Sequence, residues 1–165
     1  MCRNRGCGGK RCLCGRRKRR FMRRNDEELK AVIILANGYE TGDFRPLYGL
    51  LSEDCIWQSQ WRFDRVTGRK AVIDYYQNKG KTLRESGSSV RSDIMELLEI
   101  AAIKPGSSDL SCFLEGKLCV LTAQEFNGED MLCLIVPSYN EAGLISRIDV
   151  CMPGCFRYRK MGGAV

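Results

Sequence analysis

The sequence predicts an α+β fold, in which helices precede a run of strands. In the first half of the 165 residues, apolar side chains recur at helical intervals on both sides of one strand-like segment. The last third alternates between apolar and polar residues and contains hairpin signals such as Asn127-Gly128. The predicted order is therefore two helices, a strand, a helix and four strands, and it occupies residues 25–153.

The three predicted helices have sequence signals at their ends. Asn25, which acidic residues follow, is typical of a helix N-cap and predicts a helix that ends near Thr41. Asp43 is expected to cap a second, short helix. The third helix is predicted to begin after Gly68 and to end at Gly87, because glycine commonly terminates helices.

The first strand contains the sequence CIWQSQW, positions 55–61, which holds both tryptophans of the chain. Successive side chains of a strand point to opposite faces, so Trp57, Ser59 and Trp61 are expected to share one face. A hydroxyl between two indoles suits either the lining of a cavity or the filling of a core. The later strands are predicted at about Val90 to Ile100, Lys117 to Phe126, Met131 to Tyr139 and Leu144 to Met152.

Residues 1–24 form a basic leader that contains eleven of the 27 Lys and Arg residues and none of the 20 acidic residues. The rest of the chain is therefore net acidic, so any binding of nucleic acid is expected through this leader alone. We predict that the leader is either a disordered tail or an extension upstream of Met22. Residues 154–165 are predicted to be a C-terminal tail.

The cysteines and the hydropathy pattern restrict the chemistry and the location. Cys2, Cys7, Cys12 and Cys14 lack the usual spacing of zinc ligands, and the chain has no histidine, so no metal site is expected. No segment has the length of a secretory signal core or of a membrane span. We therefore expect a cytoplasmic protein with reduced thiols, without a cofactor and without a membrane partner.

A set of residues around the second helix and the first strand matches a family pattern. These residues are Gly42-Asp43-Phe44, Leu47, Leu50-Leu51, Asp54, Trp57, Gly68 and Lys70-Ala71-Val72. They resemble the pattern G-D-x-x-x-L-x-x-L-L-x-x-D … G-x-x-A-I of SnoaL-like domains in the nuclear transport factor 2-like superfamily, which includes polyketide cyclases and ketosteroid isomerases. The resemblance covers about Asn25 to Met152.

The resemblance implies a cystatin-like cone, in which a strongly bent antiparallel sheet wraps round the N-terminal helices and leaves a pocket at one end. The face of the first strand that carries the two tryptophans would then line the pocket. The ligand-binding candidates are Trp57, Ser59, Trp61, Tyr76, Tyr139 and Arg147. The alternative is that one or both indoles plug the cone.

Catalysis would need a proton-transferring group in this pocket. Ketosteroid isomerases use an aspartate base on this strand and an oxyanion tyrosine, but those positions match Ser59 and Leu35 here, so their constellation is absent. SnoaL-like cyclases need one acid or base in an apolar cavity, for which Asp149 and Glu125 are the candidates. An enzyme of this kind would be a cyclase, isomerase or hydrolase without a histidine base.

Two functions stay open at this point. The first is a SnoaL-like domain that binds a small apolar or aromatic molecule in its pocket, with cyclase or isomerase activity as an extension. The second is a non-catalytic, dimeric domain that binds a partner protein. A homodimer is expected in either case.

Overall fold

The computed structural model describes residues 14–61, 64–87, 89–100, 117–126 and 129–161. The predicted Asn127-Gly128 turn lies outside the described residues, as do the leader cysteines before Cys14. The description below concerns the described residues, which include every predicted helix and strand.

The helices occupy the predicted parts of the chain, with one difference at the start. Helix α1 spans Cys14–Thr41, a 3₁₀ helix spans Arg45–Leu50, and helix α2 spans Arg69–Ser86 and ends at Gly87, whose φ is 63°. The predicted start of α1 at Asn25 is wrong, because the helix continues eleven residues further towards the N-terminus. Arg, Lys and Leu are good helix formers, and no glycine or proline interrupts residues 16–37.

One sheet contains all the strands among the described residues. Its strands are β1 (Leu51–Ser59), β2 (Val66–Thr67), β3 (Val90–Ile100), β4 (Leu118–Phe126), β5 (Glu129–Tyr139), β6 (Ile145–Cys151) and β7 (Phe156–Lys160). Their spatial order is β2-β1-β6-β5-β4-β3-β7. The sheet is strongly curved and does not close, which confirms the predicted α+β cone. All pairs are antiparallel except β1 with β6, which is parallel.

Strand β7 lies in the segment that the sequence analysis assigned to a C-terminal tail. It pairs with the edge of β3, where Leu97 faces Tyr158 and Glu96 faces Arg159. An ion pair of 2.6 Å joins Arg159 Nη2 to Glu96 Oε2, and Lys160 Nζ lies 2.6 Å from Asp93 Oδ1. The ordered domain therefore extends to residue 160, because backbone pairing and opposite charges hold this segment on the sheet.

The helices cover the inner face of the sheet. Helix α1 has buried residues that recur every three or four positions. They form a single apolar stripe against β3 and β4. Burial of one such side chain, for example Leu35, contributes about 2 kcal/mol to folding. The buried residues of this stripe are Ala31, Val32, Leu35, Ala36 and Tyr39.

The outer face of the sheet carries a separate apolar cluster. Alternation along the strands divides neighbours between the faces, so that Val120 belongs to the inner core and Cys119 to the outer cluster. The outer cluster consists of Met95, Leu97, Cys119, Leu134, Val136 and Cys151. Of the described cysteines, Cys55, Cys119 and Cys133 are free thiols. Within the described residues, neither helix is long and apolar enough to cross a membrane.

Candidate functional site

A cavity of about 180 Å³ lies between the inner face of the sheet and the helices. Strands β1, β3, β4, β5 and β6 contribute one wall, and residues from α1 and α2 contribute the other. Its lining comprises Tyr39, Trp57, Ser59, Trp61, Tyr75, Lys79, Val90, Thr122, Gln124, Met131, Cys133, Ile135 and Val150.

The two tryptophans have different positions in this cavity. Trp57 is only 2% exposed, and its ring lies 4.0 Å from that of Tyr75 on α2, with an angle of 35° between the ring planes. Trp61 follows the end of β1 and is 49% exposed. Met131 on β5 is similarly exposed, at 53%. Trp57 therefore forms an inner wall, whereas Trp61 and Met131 form an apolar rim at the mouth.

Ser59 shares the inner face of β1 with Trp57, as the alternation of the strand requires, and it lines the cavity together with both indoles. It is buried, and its Oγ accepts a hydrogen bond from the backbone N–H of Trp61 at 3.3 Å. Pairing with Val150 of β6 fixes its position. The structure thus brings Trp57, Ser59 and Trp61 to one cavity and leaves space between them, while their role in binding a ligand stays a prediction.

The tyrosines near the cavity keep their protons. Tyr39 lines the cavity, and burial raises the pKa of its hydroxyl far above the usual value. Tyr76 does not line it, because its ring packs at 4.7 Å from that of Phe44, and burial also holds its pKa well above the usual value. Tyr139 does not line the cavity either, since its hydroxyl donates to the carbonyl of Glu28 at 3.4 Å.

Two residues with reactive groups line the cavity without having been predicted. Cys133 on β5 points inward, and burial raises the pKa of its thiol, although the positive charge of Lys79 acts in the opposite direction. Lys79 lies on α2 four positions after Tyr75, so the two share one side of the helix. That spacing was the available signal for Lys79, but a lysine on an amphipathic helix is more often at the surface.

The predicted acid and base candidates lie away from the cavity. Ile148 and Val150 of β6 point inward, so Arg147 and Asp149 point to the outer face. Arg147 Nε donates to Asp149 Oδ2 at 2.8 Å, and Arg147 Nη2 donates to Gln58 Oε1 on β1 at 2.9 Å. This ion pair bridges two strands, and it explains the burial of Asp149 without a catalytic role.

Glu125 is also outside the cavity. Its neighbour Gln124 lines the cavity from β4, so Glu125 points to the other face, where it is exposed. Sequence analysis could not assign these faces, because the inward side of a strand depends on its pairing with distant strands. A group of His, Cys, Asp or Glu suited to a metal ion does not occur within the described residues.

A second depression, of about 470 Å³, lies at the surface between the 3₁₀ helix and α2. Its charged groups already have partners. Asp43 accepts two hydrogen bonds from the side chain of Arg45, and Arg84 donates to the carbonyl of Gly42. The Arg45 side chain next to Asp43 lowers the pKa of that carboxyl to about 2. The cavity beside Trp57 is therefore the candidate site.

Comparison with known proteins identifies the fold. No protein-family model and no curated protein sequence matches the chain. Among solved structures, an uncharacterized protein with a cystatin-like fold from Silicibacter pomeroyi DSS-3 is 20% identical, with a TM-score of 0.50 over 73% of this chain and 72% of that one.

Two further similar structures have lower scores. An NTF2-like protein of unknown function from Cytophaga hutchinsonii ATCC 33406 is 16% identical, with a TM-score of 0.46 over 75% of this chain and 95% of that one. A candidate ketosteroid isomerase from Kribbella flavida DSM 17836 is 14% identical, with a TM-score of 0.48 over 85% of this chain and 84% of that one. What the comparison with the Silicibacter pomeroyi structure establishes is a shared cystatin-like fold.

Proposed function

We propose that this chain binds a small aromatic molecule, of about one ring, in the cavity beside Trp57. The observation that carries this proposal is the space between Trp57 and Trp61, which is open although the residues around it form the core. An apolar cavity of about 150 Å³ in another protein accommodates benzene. A cavity of about 180 Å³ therefore suits one substituted ring.

The walls of the cavity favour an aromatic ligand. The rings of Trp57 and Tyr75 contact each other at an angle of 35° and both line the cavity, and a ligand ring that packs against either one gains about 1 kcal/mol beyond the burial of its area. Trp61 and Met131 at the mouth offer apolar contacts to a ligand that enters from solvent. The hydroxyl of Ser59 is a polar group inside this apolar surface.

The same lining supports binding rather than proton transfer as the function. Within the described lining, no Asp or Glu is present, and the chain has no histidine. Burial raises the pKa of Tyr39 and of Cys133, so both groups stay protonated near neutral pH and are poor bases. The cyclase or isomerase activity would need a base that the described cavity does not supply.

Fluorescence of the full chain tests this function. 4-Methylbenzamide, a neutral one-ring compound, should change the emission of the two tryptophans with saturation. In the single-tryptophan variants Trp57→Phe and Trp61→Phe, the remaining indole should still respond, because both line the cavity. Absence of any response and of any heat in calorimetry would exclude binding of neutral one-ring compounds of this kind.

Two adjacent residues supply a matched control for the position of binding. Gln124→Phe adds a ring inside the cavity and should reduce affinity at least about tenfold, whereas Glu125→Phe adds the same ring outside and should leave affinity unchanged. Equal effects of the two variants would place the binding elsewhere.

A homodimer is a second proposal for the outer face of the sheet. Leu132 on β5 is 39% exposed there, next to the outer apolar cluster. Sedimentation of the full chain tests it, and a monomer at all concentrations would exclude the dimer.

A further inference from the structure

The cavity has a positive charge that no negative charge among its described lining residues balances. Lys79 carries the only charge among the described lining residues, and no carboxylate lines the cavity with it. Lysine is protonated near neutral pH, so the cavity presents a positive group beside its aromatic wall. A positive group in a partly buried site favours an anionic partner, since its loss of hydration is otherwise uncompensated.

The other lysines of α2 show what Lys79 lacks. Lys70 Nζ lies 3.0 Å from Asp74 Oδ2, and Lys81 Nζ lies 3.8 Å from Glu85 Oε1, so each has an acidic partner four positions later. The corresponding neighbour of Lys79 is Leu83, which belongs to the core. Among the described residues, Lys79 has no ion pair.

The remaining polar groups of the cavity are suited to an oxyanion. The Tyr39 hydroxyl stays protonated because burial raises its pKa, so it can donate a hydrogen bond. Ser59 Oγ already accepts the N–H of Trp61, and its own proton is available to a ligand. Hydrogen bonds from neutral donors and from an ammonium group are stronger to a charged acceptor than to a neutral one.

We propose that the ligand is an aromatic carboxylate, with its ring against Trp57 and Tyr75 and its carboxylate paired with the Lys79 ammonium. This inference rests on the proposed binding function and specifies the charge of the ligand. It also specifies an orientation, because Lys79 is one helical turn after Tyr75.

A matched pair of compounds tests the charge. 4-Methylbenzoate and 4-methylbenzamide have nearly the same shape, but only the first is an anion near neutral pH. Calorimetry with the full chain should show that the benzoate binds about tenfold more tightly than the benzamide, which corresponds to about 1.4 kcal/mol. Increased salt should weaken the binding of the benzoate but not that of the benzamide, because salt screens the attraction between the carboxylate and the partly exposed ammonium group.

Two lysine variants test the residue. Lys79→Met removes the charge and keeps the length of the side chain, so it should reduce benzoate affinity to that of the benzamide in the same variant. Lys81→Met makes the same change of net charge outside the cavity and should alter neither. Lys79→Arg should retain the preference, and circular dichroism of each variant checks that it is folded.

The outcomes separate this inference from the proposed function. If the benzamide binds and the benzoate binds no better, the inference is wrong and the proposed function stands. A preference that survives in Lys79→Met, or that Lys81→Met also removes, would overturn the role of Lys79. If neither compound binds to the wild-type chain, both proposals fail.

Discussion

Charged side chains are arranged differently on the two faces of the sheet. On the outer face, Arg147 and Asp149 form a pair with side chains that are 21% and 11% exposed, and Gln58 completes the hydrogen bonds of the guanidinium. On the inner side, Lys79 lines the cavity without an acidic partner among the described residues. The outer pair therefore has the arrangement of a structural bridge, whereas the inner charge has no counterpart in the described part of the chain.

Among the substitutions considered, the largest loss of stability is expected when the ion pair of Arg147 and Asp149 is broken. Asp149→Asn keeps the shape of the side chain but removes the carboxylate that pairs with the partly buried Arg147, so we expect the free energy of unfolding to fall by about 2 kcal/mol. Urea unfolding of the full chain measures this loss. Asp130→Asn, which breaks the exposed pair with Arg91, should cost less than about 1 kcal/mol. Equal losses in the two variants would contradict the contrast between buried and exposed pairs.

Buried thiols on the two faces of the sheet should affect the pH dependence of stability in the same way. Burial raises the pKa of Cys55, on the inner face, and of Cys119, on the outer face, from 9.0 to about 12. Between pH 9 and pH 12, each thiol therefore keeps its proton in the folded chain and loses it in the unfolded chain. Their contribution to stability is complete below pH 9 and is lost as the pH rises from 9 to 12.

The slope of this decline can be measured. Each thiol should contribute about 1.4 kcal/mol per pH unit in the steep part of the range. Urea unfolding at a series of pH values should show that Cys55→Ala and Cys119→Ala each flatten the decline by the equivalent of one proton. A slope that neither variant changes would mean that other groups cause the loss of stability.

The smallest effect on stability is expected at the inner charge. Lys79→Met removes no ion pair among the described residues and leaves an unbranched side chain against the cavity wall, so the free energy of unfolding should change by less than about 0.5 kcal/mol. Urea unfolding without ligand checks this. A large loss of stability would show that Lys79 supports the fold, and the contrast with Asp149 would then disappear.

The sequence predicted the elements that depend on local rules. The shared face of Trp57 and Ser59 follows from strand alternation, and the C-terminal end of α2 follows from Gly87. The alternating pattern after Gly87 correctly indicated β3, β4, β5 and β6. These predictions needed no knowledge of distant contacts.

The features that the sequence analysis missed depend on such contacts. Asp149 and Val150 are adjacent, and only the pairing of β6 with β1 and β5 determines which of them faces the helices. Strand β7 is short, and it is held by β3, far away in the sequence. Lys79 resembles any exposed helical lysine until the sheet encloses its side of α2.

The parallel pairing of β1 with β6 has a consequence for the order of events during synthesis. Trp57 of β1 lies beside Ile148 of β6, so the chain between them must leave the ribosome before the tryptophan wall has its neighbour. Contacts between residues so distant in sequence form slowly. A nascent chain that ends before β6 has the indoles, the lysine and the tyrosines but lacks one strand of the cavity wall, so the proposed ligand binding would require translation beyond Cys151.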